Sequence, residues 1–309
     1  MNQLNLFDNE NVNRIEFRKA LQEFNLDDAL RALQRWQKKL TVPRIIDAKF
    51  RSVKWLQKNT KQSSSAIQFL VDLYEGYDEE KKIKALLEEE SFLIQGLITA
   101  LCNRLDVQED FNFLTSKTHP ADLFLKAQQN ENAVQNASAY LNQEGEHAFV
   151  RQIRGYALYQ SGDVKSASVD MTQAIFYDPL SCKEAYLIPP HFASKYHYLK
   201  KQYEPFEEAM ARLPFELWKN GKTYIDNRDF SVLKAMEEQF ESDKTRSETN
   251  SILQRIQFNR LLFLAESERL TNARGGETEE LRKLREKMQR IKPELHTHYI
   301  QILKSFRNY

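Results

Sequence analysis

Residues 151–179 read RQIRGYALYQSGDVKSASVDMTQAIFYDP, and the order of small and large side chains in this stretch decides the fold. Gly155 stands three residues before Leu158, Gly162 interrupts the pattern, and Ala167, Met171 and Ala174 then recur at helical intervals until Pro179. A glycine between two periodic stretches marks a turn, so helices are predicted at about 146–161 and 164–177. Small residues at Gly155 and Ala167 let two antiparallel helices approach closely, while the larger side chains pack above and below.

Shifting back by 34 residues places Ala121, Phe124, Ala133, Ala137 and Tyr140 in the same small-and-large order, with Gln128 at the turn. Shifting forward puts Pro189 in mid-helix, so the array cannot continue there in register. The pattern resembles the tetratricopeptide repeat, best over 146–179 and next over 114–145. The hairpin between Phe17 and Trp36 is similar to a third, degenerate unit through Ala20, Ala29 and Leu33. Two features depart from the family: Arg151 and Arg154 stand where it has Trp and Leu, and the earlier unit closes on Gly145 instead of Pro. The resemblance implies an α-solenoid of stacked hairpins that presents a surface to partner proteins and does no catalysis. Gly155, Leu158, Gly162, Ala167, Met171, Ala174 and Pro179 would be its packing residues. Helical hairpins in an unrelated α-bundle are the alternative.

The rest of the chain agrees with an all-α class. Only 8 glycines and 8 prolines occur in 309 residues, too few for a turn-rich sheet protein, and neither GxxxxGK[ST] nor GxGxxG is present. Further helices are predicted at about 45–59, 63–75, 78–104 with a break near Glu90, 107–114, 120–129, 130–142, 247–270, 277–291 and 293–306. Pro189, Pro190, Pro205 and Pro214 cluster in one segment. The expected organisation is therefore a flexible tail over 1–12, a helical repeat region over 13–182, an irregular Pro-rich helical segment over 183–245 and C-terminal helices over 246–309.

The formal charge is +1, from 45 basic and 44 acidic residues, so any electrostatic function is local. No window approaches about 18 apolar residues, no leader pattern opens the chain, and two cysteines lie 80 positions apart; a cytoplasmic protein that does not enter a membrane is expected. Cys102, within LIQGLITALCNRL, reads as a buried small hydrophobe. His296 and His298 point about 200° apart on a helix and cannot share a metal. His191 and His197 flank aromatic residues and read as packing, and Glu88, Glu89 and Glu90 read as a solvated face. No metal, cofactor or small-molecule substrate is expected.

Two local features suggest partners. Gln3-Leu4-Asn5-Leu6-Phe7 resembles the QLxLF peptide by which bacterial replication and repair proteins attach to the DNA polymerase sliding clamp. That resemblance implies Gln3 as the polar anchor and Leu4, Leu6 and Phe7 as pocket-filling plugs. The competing reading makes the same apolar residues a cover for the open end of the first hairpin. Between Arg35 and Lys61 nine basic residues face one acid, Asp47, and Arg51, Lys54, Lys58 and Lys61 fall on one helical stripe. Such a stripe suits non-specific DNA phosphates, an acidic protein partner, or water alone. The expected function is a non-catalytic adaptor, recruited to the clamp. The alternatives are a scaffold in another cytoplasmic complex, or an enzyme with a site around 186–225, where Trp218 and Tyr224 would anchor the segment or line a groove.

Overall fold

The computed structural model describes residues 4–38, 44–62, 66–76, 81–226, 229–242, 250–272 and 277–307, with the side chains of 4–11, 44, 62, 87–88, 230 and 306–307 outside the description. Among the described residues the protein is all-helical and has no strand. It divides into two compact units, Met1–Asn132 and Ala133–Tyr309.

Unit 1 contains α1 (Leu4–Gln22), α2 (Leu26–Gln37), α3 (Arg44–Gln62), α4 (Ala66–Gly76), a 3-10 turn at Lys84–Glu89, α5 (Glu90–Cys102) and α6 (Pro120–Lys126). The first hairpin turns at Phe24, whose φ is 50°, and Asn25 then caps α2 by accepting a hydrogen bond from the Asp28 N–H. Phe17, Leu21, Leu33, Val53, Leu56, Leu70, Leu97 and Leu101 form its buried core. α5 lies directly on α1 at Gly96, where an added Cβ would sit 2.0 Å from the Leu21 carbonyl oxygen. Only a residue without a side chain permits that crossing.

Unit 2 takes up α7 (Asn130–Gln143) from Ala133 onward, followed by α8 (Ala148–Gln160), α9 (Val164–Tyr177), 3-10 turns at Pro179–Ser181 and Glu184–Tyr186, α10 (Pro190–Lys200) and α11 (Phe206–Lys219). α12 (Phe230–Ser242), α13 (Ser251–Thr271), α14 (Glu279–Ile291) and α15 (Pro293–Arg307) complete it. α13 is buried on every side from Ile256 to Ser267, as expected of a central helix packed against α9, α11, α12 and α14. Its buried polar side chains tie it to its neighbours: Gln257 donates to the Phe240 carbonyl, Asn259 through its Nδ2 to that of Ala211 and Arg260 to that of Tyr177, while Glu266 accepts from Tyr299 and Arg269.

Four expectations change. The helix predicted at 107–114 is reduced to a single turn: Asp106 Oδ1 accepts the N–H groups of Gln108 and Glu109 as a helix cap does, and the Asp110 N–H donates to the Asp106 carbonyl, but no second turn follows. α1 begins at Leu4, inside the span expected to be a tail; no Gly or Pro precedes Pro43, so the helix anchored by Phe17 and Leu21 propagates back through the Asn-rich residues. The long span 78–104 breaks between Glu89 and Glu90, as expected near Glu90, but its described part before the break, 81–89, is turn and 3-10 helix instead of α-helix. α10 and α11 run through the Pro-rich segment: Pro189, Pro190 and Pro205 occupy caps and first turns, where a missing N–H costs nothing, while Pro214 stands inside α11.

Candidate functional site

α8 and α9 form the tightest hairpin of unit 2. Asp163 caps α9 by accepting from the Ser166 N–H, and Gly162 at φ 92° supplies the left-handed turn before it. Ala167, Met171 and Ala174 are fully buried, and a Cβ at Gly155 would lie 3.1 Å from the Asp170 Cβ and 3.2 Å from the Ala167 carbonyl oxygen. The predicted packing residues are thus brought together, with Leu158 half-buried and Pro179 opening the following 3-10 turn.

One side of this hairpin, with Val134 and Ser138 of α7 and Asp226 and Asp229 of the following segment, encloses a cleft of about 480 Å³. Its floor is Arg151, only 3% exposed. The guanidinium donates to both carboxylate oxygens of Glu146, to Asp170 Oδ1 at 3.0 Å and to Gln173 Oε1 at 2.5 Å, and Asp229 Oδ2 lies 3.5 Å away. Arg154 completes the group with a bidentate pair to Asp170, 2.7 Å on each oxygen. Burial works to lower the Arg151 pKa, but hydrogen bonding to Glu146 and the charges of Glu146, Asp170 and Asp229 outweigh it and hold the group above its ordinary value. The two arginines that break the apolar repeat pattern are therefore matched by acids on the same hairpin and beside it.

In unit 1 the predicted stripe is present. Arg51, Lys54, Lys58 and Lys61 are all exposed on α3 and make no ion pair among the described residues, and Lys54 lies over the Phe50 ring at 4.6 Å. Two other basic residues of that stretch differ. Arg35 pairs with Glu16 at 2.7 Å, and Lys49 is buried against Glu89. Glu89 corrects the expectation of a solvated acidic face: its carboxylate is buried, 2.6 Å from Lys49 Nζ, 3.4 Å from Arg14 and 3.5 Å from Arg18. Its partner lies 40 residues away, so no local pattern could reveal it.

Gln3 lies outside the described residues, as do the side chains of Leu4, Leu6 and Phe7. Cys102 is buried, and burial pushes its thiol up to about 12. Trp218 is buried against Phe215 and Tyr299, whereas Tyr224 is exposed. His296 and His298 face different rings, Tyr299 and Phe215. Among the described residues no helix is long and apolar enough to cross a membrane, and no group of three or more His, Cys, Asp or Glu could hold a metal ion. No protein-family model, curated protein or solved structure matches the chain.

Proposed function

We propose that the chain is a non-catalytic adaptor of tetratricopeptide-like hairpins that holds a partner's peptide in the α8–α9 cleft and is recruited to the DNA polymerase sliding clamp through Gln3, Leu4, Leu6 and Phe7. The observation that carries the recruitment is the α3 face: four exposed cations without ion pairs among the described residues lie in the same unit as the peptide and suit the phosphates of clamp-bound DNA. The adaptor reading is supported by the cleft itself, whose guanidinium and carboxylate groups hold one another and so build a fixed polar surface for recognition.

The test is retention on immobilised bacterial clamp. Leu6→Ala with Phe7→Ala should abolish it, and equal retention of wild type and variant sinks the clamp assignment. On duplex DNA, replacing Arg51, Lys54, Lys58 and Lys61 by Ala should remove about 3 to 4 from the slope of log affinity against log salt, near 0.9 per phosphate contact. One observation favours the rival scaffold reading: α1 already includes Leu4, so an extended docked peptide requires the first turns of that helix to open. Loss of clamp binding in the double variant decides between them.

A further inference from the structure

A second cavity of unit 2, about 270 Å³, lies among α10, the turn after it, α11, α13 and α15. Leu199, Tyr203, Phe215 and Leu295 give it apolar walls, and Arg212, Arg255, Glu216, Glu294 and His298 reach its lining. Its two arginines are unequally provided for. Arg212 stacks on the Tyr203 ring at 3.8 Å and donates to Glu208 at 2.7 and 2.5 Å. The Arg255 side chain is only 11% exposed, its Nε has no hydrogen-bond partner, and its sole ion-pair contact among the described residues is the Glu208 oxygen already used by Arg212, 4.0 Å away. Burial and the neighbouring charge of Arg212 disfavour its cation, outweighing Glu208 and Glu294.

A buried guanidinium short of acceptors beside an open cavity gains most from an anion that enters the cavity. The walls narrow the choice. Glu216 is paired with Lys195 and Lys219, each at 3.5 Å, and Arg212 with Glu208, so the remaining charges on the lining are Arg255 and Glu294: a single negative charge is balanced by Arg255, and Glu294 repels a dianion such as phosphate more strongly. Phe215, Leu199 and Leu295 offer apolar surface to the remainder of the molecule, and about 270 Å³ accommodates a body near the size of one aromatic ring. We propose that this cavity binds a free small monocarboxylate with an apolar body, its carboxylate on Arg255 and its body against Phe215, Leu199 and Leu295. This departs from the expectation that the chain takes no small molecule, and it stands independently of the adaptor reading because it uses a different site.

The experiment is calorimetric titration of the full chain with benzoate, phenylacetate and isovalerate, with benzamide as an uncharged isostere and inorganic phosphate as the dianion. At least one carboxylate should bind saturably, with a Kd of about 1 mM or tighter, and benzamide and phosphate should bind at least about tenfold more weakly. Arg255→Gln should lose at least about tenfold in affinity, and Arg255→Lys less. Glu294→Gln, at an exposed position that leaves folding intact, should tighten carboxylate binding several-fold by removing a like charge. Absence of saturable carboxylate binding overturns the proposal, as does tighter binding of phosphate. Unchanged affinity in folded Arg255→Gln, or unchanged or weaker affinity in Glu294→Gln, also overturns it, the latter without relying on the arginine variant.

Discussion

In unit 1 one buried carboxylate, Glu89, faces three cations, Lys49, Arg14 and Arg18, whereas in unit 2 one buried guanidinium, Arg151, is shared among Glu146, Asp170, Gln173 and Asp229. The first centre depends on a single acceptor; the second is distributed over both helices of a hairpin and the segments beside it. Water reaches Arg14 and Arg18, whose side chains are 41% and 29% exposed, whereas the Lys49 side chain is 1% exposed. Removing the one carboxylate on which three cations converge costs more than removing one member of a shared set, because more of the desolvation penalty is then left uncompensated.

The sharpest test is to remove one charge from each centre at constant shape. Glu89→Gln should destabilise unit 1 by about 3 to 5 kcal/mol, since it removes the buried carboxylate that faces Lys49, Arg14 and Arg18 together. Asp170→Asn should cost unit 2 about 1 to 3 kcal/mol, because Arg151 keeps both Glu146 oxygens and Gln173. Native-state hydrogen exchange read separately on α3 and α9 measures both. Equal losses would break the contrast.

The next test compares the two helix crossings that rest on glycine. At Gly96 a methyl group would meet a backbone carbonyl at 2.0 Å, which only movement of α5 away from α1 can relieve; Gly96→Ala should cost about 3 kcal/mol. At Gly155 the nearest atom would be 3.1 Å away, a few tenths too close, and the gain in helix propensity of about 1 kcal/mol largely offsets it. Gly155→Ala should therefore change stability by less than about 1 kcal/mol in urea denaturation. A larger loss at Gly155 than at Gly96 would reverse the assignment of the tighter contact.

These contrasts also explain what the sequence could and could not reveal. The bounds of α9 were legible because its start is punctuated locally, by Gly162, whose left-handed φ reverses the chain, and by the capping Asp163. Arg151 and Arg154 stood out as exceptions to an apolar pattern, and two of their acids, Glu146 and Asp170, lie within 5 to 19 residues, whereas Asp229 is brought in from beyond α11. Glu89 and Gly96 were illegible for the opposite reason. The first looks like part of an acidic surface run and the second like one more small residue in an apolar helix, until Lys49 and the Leu21 carbonyl are brought to them by tertiary packing. The cavity at Arg255 belongs with these: its walls come from two helices and a turn before α13 and α15 are added, and no spacing along the chain announces it. The side chains of the clamp-like peptide were fully legible as a motif, yet their setting is the one part of the candidate sites on which the fold contributes only a backbone helix from Leu4.

The smallest effect expected is of pH, and it concerns unit 2. His147, preceding α8, is held below its ordinary value of 6.5 by burial, which outweighs the opposing charge of Asp178. Burial also lowers His191 against the opposing hydrogen bond to the Lys222 carbonyl, and burial with the charge of Arg285 lowers His296. A histidine whose folded pKa is depressed binds fewer protons folded than unfolded in this range, so its stabilisation is complete above about 6.5 and is lost as pH falls through the folded value. The urea midpoint of unit 2 should accordingly decline between pH 7.5 and pH 5.5, a window above the ordinary carboxylate range, so the Arg151 network stays charged throughout. His147→Gln should flatten part of that decline. If the midpoint instead rose on acidification, the three imidazoles would have to gain protons on folding, and burial could not be the dominant influence on them.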